Sequence, residues 1–492
     1  MSVAPVPQRA HHQVTFAVLA VGVAAYALLQ SLVTPVLPTI QHALGTSQTN
    51  VTWVLTAYLL SASIFTPILG RLGDMSGKKR MFVVALVALA LGSLLSAVAS
   101  SLAIMIIGRV IQGIGGGVLP LAFGIIRDEF PSEKVPGAVG IIAALTAVGA
   151  GLGIVLAGPI VDVLNYHWLF WIPLIMITAA ALAAHFLVPE SESTSEGRIN
   201  WLAALLLSGW LVALLLAASQ APTWGWGSGK VIGLLVASVV LAALWVTVES
   251  RSDHPLIDMK MMRIRAVWTV NLVALLFGVG MYAMFAFLPE FLQTPSAAGY
   301  GFGSSITESG LMILPQAVAM FVVGLFAGRL AERFGAKSLV VLGSLISVGA
   351  FALLAVSHGQ KLDVYVTSAI LGVGFGLAFA SMSNLIVAAV PPAQTGVASG
   401  MNANIRTIGG SLGAAFMASI VTSGAAPSGV PKESGYTNGF LMLGGALLLA
   451  AVAGLLIPTA RRAARHLRVE TDLPHAELAM VAGGTVLGDQ SE

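Results

Sequence analysis

Stretches of about twenty consecutive apolar residues recur from one end of this 492-residue chain to the other, each long enough to cross ~30 Å of hydrocarbon as a helix. No other feature constrains the fold so strongly. A backbone in lipid has no water to bond and must satisfy its N–H and C=O groups internally, which a helix does within one segment. Membrane strands would be shorter and would alternate polar with apolar residues, a pattern the chain lacks. Composition agrees: 57% of the residues are hydrophobic and only 9% charged, against roughly 25% charged in soluble domains. The fold class is all-α and polytopic.

Fourteen spans can be drawn, at about 14–40, 51–72, 79–100, 102–126, 137–161, 168–189, 199–218, 229–249, 266–292, 306–328, 336–357, 361–390, 394–422 and 437–460. An even number puts both termini on one side. With that side assigned to the cytoplasm, three of the 24 Lys and Arg fall in outer loops (Lys230, Lys361, Lys432) and two inside spans (Arg109, Arg406). The rest lie in the tails and cytoplasmic loops, the asymmetry expected of an inner-membrane protein. The net charge of +3 therefore follows topology and is no nucleic-acid signal. The absence of cysteine excludes disulfides and thiolate metal sites, and no metal or cofactor is expected. No small-residue cleavage site follows the first apolar run, so that run is expected to be a retained helix. Arg461, Arg462, Arg465 and Arg468 suit a stop-transfer flank, or a juxtamembrane segment on anionic lipid.

A short charged loop occurs twice. Gly70-Arg-Leu-Gly-Asp74-Met-Ser-Gly77-Lys78-Lys79-Arg80 returns as Gly328-Arg-Leu-Ala-Glu332-Arg-Phe-Gly335-Ala-Lys337, each time between two spans. Eight spans lead from one copy to the other, where a plain six-plus-six duplication would need six. The surplus pair is most simply placed in the middle, flanked by the polar stretches 190–198 and 249–254. The expected organisation is a tail (1–13), a six-helix bundle (14–190), a linker with two extra spans (191–265), a second six-helix bundle (266–460) and a tail (461–492). The loop resembles the signature loop of the major facilitator superfamily of secondary transporters, and the chain looks like its fourteen-span drug:proton antiporter branch. That resemblance implies two pseudo-symmetric halves that rock about a central site. It also implies that Asp74 latches the cytoplasmic side by engaging the turn near Gln394–Gly396. Glu332 would mirror it toward the turn near Lys134–Gly137.

Two further spans carry motif residues. In Gly108-Arg109-Val-Ile-Gln112-Gly113, an Arg well inside a span costs roughly 2.5–3.5 kcal/mol, and Arg109 and Gln112 share a helical face. The pattern is similar to the family's fourth-helix motif, whose Arg is associated with proton transfer. In Gly149-Ala-Gly151-Leu-Gly153…Gly158-Pro159, small residues let two helices touch. This segment resembles the antiporter motif of exporters, although Val161-Asp162 stands where a second Gly pair is usual.

The coupling proton has no obvious mid-depth acid. Gln30 occupies the first span where many drug-exporting relatives carry Asp. The candidate carboxylates near the outer ends are Asp162, Glu290 and Glu308, where desolvation would favour proton binding. Candidate cavity residues are Tyr26, Gln30, Tyr282, Phe285, Asn384, Asn404 and Arg406, in part because soft and aromatic side chains suit promiscuous binding. Arg109 and Arg406 without a mid-depth acid would disfavour organic cations and suit neutral or anionic amphipaths. The sequence expectation is a proton-coupled exporter of amphipathic small molecules, with cargo, protons and lipid as partners and a monomer as the working unit. An importer or facilitator of a sugar or other metabolite, or a non-transporting receptor, would use the same scaffold. A membrane enzyme would need a nucleophile, metal cluster or carboxylate pair inside the bundle, and no such set is visible.

Overall fold

The computed structural model describes residues 12–46, 48–190, 200–253, 255–423 and 431–458. The readings made on residues 1–11 and on the arginines after 460 lie outside these. Among the described residues, fourteen helices are long and apolar enough to cross a membrane. They are α1 (His12–Val36), α2 (Trp53–Ser76), α3 (Lys78–Ala97), α4 (Leu102–Glu129), α5 (Val135–Val163), α6 (Trp168–Leu187) and α7 (Trp201–Trp224). The remainder are α8 (Gly229–Arg251), α9 (Arg265–Gln293), α10 (Ile306–Phe334), α11 (Ala336–Val356), α12 (Lys361–Ala388), α13 (Pro392–Thr422) and α14 (Glu433–Gly454). No strand occurs among the described residues. Phe186, Leu205 and Val239 lie exposed on the outside of the bundle, as side chains facing lipid tails do.

The duplication seen in the loops is also present in space. Helix α1 packs on α5 and α6, α4 packs on α2 and α3, and α3 packs on α6. The same pairs recur eight helices later: α9 on α13 and α14, α12 on α10 and α11, and α11 on α14. The two six-helix halves meet along two seams, α5 against α10 and α2 against α13. Each seam maps onto the other when the halves are exchanged, the hallmark of a pseudo-twofold axis between parallel repeats. Gly77 and Gly335, matched in the two loops, both take positive φ (105° and 81°), a conformation that a side chain disfavours.

The surplus pair breaks the symmetry. Helices α7 and α8 pack on each other, and α7 lies along α13 and α2, covering one seam and not the other. Helix α8 is the least enclosed of the fourteen. Trp226 ties the hairpin down at the turn, its Nε1 donating to Ser419 Oγ at 2.8 Å while its ring stacks on Phe416. At the other end of α8 the buried carboxylate of Glu249 accepts from the N–H groups of Leu256 (2.9 Å) and Ile257 (3.2 Å), anchoring the chain before α9.

Helix α4 is not straight. Gly115–Gly117 forms a 3-10 turn between its two α-helical parts, a local tightening that Gly runs permit. Helix α5 uses its glycines on two faces. A Cβ at Gly149 would meet Ala27 of α1 at 2.6 Å, whereas one at Gly151 would meet Ala317 of α10 at 2.2 Å. The helix thus touches its own half and the opposite half at backbone distance, which only small residues allow.

Candidate functional site

The end of the bundle that carries both charged loops is sealed at the α2–α13 seam. Asp74, fully buried at the end of α2, accepts hydrogen bonds from the backbone N–H groups of Gly396 (3.2 Å) and Val397 (2.9 Å) in the first turn of α13. A carboxylate is favoured there by the free amides and by the positive end of the helix dipole. Lys78, also fully buried, places Nζ 2.7 Å from Asp128 of α4 and 3.7 Å from Asp74. Arg127 donates to Val387 O and, at 3.0 Å, to Thr395 Oγ1 in the other half. A Cβ on Gly70 would stand 2.5 Å from Gly396 O, so the closure is backbone against backbone. Arg80 lies outside this cluster and pairs with Glu190 at 3.5 Å.

The second loop is built differently. Gly328 packs against Gly137 of α5 as Gly70 packs against Gly396, but Glu332 is exposed and holds no partner on α5 among the described residues. The reason is local. Helix α5 begins Val135-Pro136, and the proline removes one of the first-turn N–H groups that would receive a carboxylate. Lys337 instead donates to Leu455 O at 2.6 Å. Among the described residues, only the first loop forms a carboxylate latch.

Between mid-depth and the opposite end lies a cavity of about 300 Å³, lined by both halves. Of the candidates named from the sequence, Gln30, Arg109, Tyr282, Phe285 and Arg406 line it. Tyr26 and Asn404 line a smaller recess below it, nearer the charged loops. Asn384 is buried in α12 and lines neither space. Ser31, Thr34, Tyr58, Met320, Phe379, Thr407 and Ser411 also line it, and the sequence reading did not include them. Thr407 and Ser411 stand four apart on α13, a polar stripe that could have been found by its spacing. Tyr58 could not, because its importance comes from what another helix sets against it.

Arg109 is wholly buried and held on three sides. Its Nε donates to Val54 O at 2.9 Å, Nη1 donates to Gln112 Oε1 at 2.6 Å, and its guanidinium lies 4.4 Å over the Tyr58 ring. Gln112 Nε2 in turn donates to Ser93 Oγ at 3.1 Å, so Gln112 stands behind Arg109 and away from the cavity. Arg406 lies 4.5 Å over the ring of Phe379.

The three far-end carboxylates differ in setting. Asp162 and Glu290 are exposed, and Glu308 is bound to Lys361. None lines the cavity, because each sits at a helix end beyond it. Gly153 and Gly158 also pack as spacers, against Ser31 of α1 and Thr307 of α10, with Pro159 accommodated inside the continuous helix.

The sequence profile of the Major Facilitator Superfamily matches residues 19–414, with a second match over 294–486. The chain is 30% identical over 393 residues to the multidrug transporter protein MdtP of Bacillus subtilis (strain 168), covering 78% of this chain and 71% of that one. It is 27% identical over 402 residues to the tetracenomycin C resistance and export protein of Streptomyces glaucescens, covering 81% and 73%. Among solved structures, the human organic anion transporter MFSD10 (TETRAN) superposes with a TM-score of 0.65 over 90% of this chain and 99% of that one. At 18% identity that likeness concerns the fold alone. A profile spanning most of the chain, and two six-helix halves repeating one packing order, show that this protein belongs to the major facilitator superfamily, a family of transporters and not of enzymes, on its drug-efflux branch.

Proposed function

We propose that the protein is a proton-coupled exporter of amphipathic small molecules such as drugs, antibiotics or secondary metabolites, working by alternating access. The observation that carries this reading is the cavity between two pseudo-symmetric halves, closed toward the charged loops by the Asp74 latch. Relatives named for multidrug transport and for tetracenomycin C export support the direction and the class of cargo. The basic end is the cytoplasmic one, by the Lys and Arg asymmetry of the loops, and both termini lie there in the inner membrane. On this assignment the Asp74 latch shuts the cytoplasmic side. Helices of a single chain enclose the cavity, so a monomer suffices.

The coupling proton does not reside on a group that touches cargo, since no carboxylate among the described residues lines the cavity. It binds acids at the bundle ends: Asp74 of the latch, or Glu290, Glu308 and Asp162 opposite. Arg109 and Gln112 transmit the cavity's state between them. An entering proton supplies about 2.3 kcal/mol per 100 mV and about 1.4 kcal/mol per pH unit, enough for a steep outward gradient of a neutral cargo.

The test is efflux from proteoliposomes under an imposed proton gradient, with a panel of neutral, acidic and cationic compounds. Flux that follows the gradient and collapses with a protonophore supports the reading. Gradient-independent equilibration, or accumulation in the importing direction, refutes it.

A further inference from the structure

The recess under the cavity has a chemistry of its own. Its volume is about 40 Å³, and its wall includes Tyr26, Ser63, Thr66, Asn404 and Arg406. Arg406 is shared with the larger space above, which is apolar by comparison. Arg406 and Asn404 are only 6% and 2% exposed, yet Arg406 Nε and both amide atoms of Asn404 make no hydrogen bond among the described residues. No Asp or Glu among the described residues lines either space. A buried guanidinium without a carboxylate is costly in a low-dielectric interior, and inside a membrane bundle such a group marks the path of what is bound.

We propose that this recess is a carboxylate subsite, so that the preferred cargo is an amphipathic monocarboxylic acid. Arg406 donates to the acid's oxygens and the Asn404 amide adds a further donor. The apolar body lies above, among Met281, Tyr282, Phe285 and Met320. The inference rests on the exporter reading only for the word cargo; the binding site stands on its own geometry. Phe379 covers one face of the Arg406 guanidinium at 4.5 Å, which leaves the in-plane N–H edge for the planar, forked contact that suits a carboxylate. Volume sets the head group. At ~10–15 Å³ per water, the recess holds roughly three, enough for two oxygens and too little for a second ring. Arg109 is the more fully engaged of the two: Nε and Nη1 bond Val54 O and Gln112, and only Nη2 makes no hydrogen bond among the described residues, so from across the cavity it chiefly adds positive field.

The experiment uses three probes that share one body: 1-pyrenebutanoate, its methyl ester, and the same pyrenylbutyl chain ending in trimethylammonium. Binding to the full chain in nanodiscs is read by pyrene fluorescence against protein-free discs. The acid is expected to bind at least tenfold more tightly than the ester, with the cation weakest. Arg406→Gln should weaken the acid at least tenfold while leaving the ester within twofold, and Arg406→Lys should fall between. Equal affinity for acid and ester, or an unchanged ratio in Arg406→Gln, overturns the proposal. If Arg406→Gln does not fold, Asn404→Leu and the wild-type series decide, since a wild-type preference for ester or cation is itself fatal. Acid-selective binding without efflux in proteoliposomes would sink the exporter reading and spare the subsite; efflux confined to ester and cation would do the reverse.

Discussion

Asp74 and Arg109 are buried charges whose partners are backbone groups as much as side chains, and that makes their removal readable. Asp74→Asn keeps one acceptor oxygen for Gly396 and Val397 and sets an NH2 against the second N–H, so one charge-assisted bond is weakened and the other is lost. At ~1.5–3 kcal/mol for each bond to a charged group, a net loss of about 2 kcal/mol would shift the sealed-to-open ratio about 30-fold. Transport should fall while insertion and yield remain, and wild-type flux per molecule would contradict the latch. Arg109→Ala removes the donor to Val54 O and Gln112 and the cation over Tyr58. Purified protein should keep its helix content but lose at least ten-fold in gradient-driven flux, and Arg109→Lys should not rescue it, because an ammonium cannot make the same fork. If the variant merely accumulated less protein with normal flux per molecule, Arg109 would be a structural residue. The charged loops and the Arg in the fourth span were legible because a duplicated motif and an ion in an apolar run stand out in any membrane sequence. Asn384 was misplaced in the cavity because three polar residues on neighbouring spans look alike until rotation about each helix axis is known.

Among the elements, α5 does most to hold the halves together, and its chemistry is steric. A Cβ on Gly324 of α10 would come within 2.0 Å of Ala144 Cβ of α5, at a seam packed from end to end. Gly324→Val should therefore separate α5 from α10 and cost about 1–3 kcal/mol by overpacking, read as a lowered melting temperature in detergent. Gly233 on the outer face of α8 meets nothing within 4 Å, so Gly233→Ala should be neutral or stabilise by up to ~1 kcal/mol through helix propensity. Equal behaviour of the two variants would mean that the seam is looser than its geometry. The small-residue spacing of α5 was visible in the sequence as a helix contact, but not that alternate glycines serve two different partners. The same holds for the unequal loops. Glu332 copies Asp74 in register, and only the proline at the start of α5 withholds its docking site.

For the whole molecule, the question is which side opens, and a cysteine-free chain is well suited to answer it. Ser411 lines the cavity, whereas Ser399 is buried in the sealed half of α13. A single Ser411→Cys should react with a membrane-impermeant maleimide applied from the side opposite the charged loops, and Ser399→Cys should resist it from either side. Adding Asp74→Asn to Ser399→Cys should raise its labelling from the loop side. Labelling of Ser399→Cys at the same rate with and without Asp74 would show that the seam does not gate access.

Span number, the doubled halves and the basic end were all legible in the linear chain, because they follow from rules that act on segments: hydrocarbon thickness, backbone satisfaction and the cost of charge in lipid. Which helix faces which, and what each turns toward the interior, depends on packing between segments hundreds of residues apart. That is why the tertiary structure alone set Tyr58 under Arg109, Phe379 under Arg406, and an unpartnered Asn404 beside it. A helix presents its side chains every hundred degrees or so, and only contact with neighbours decides which of them become the wall of a cavity.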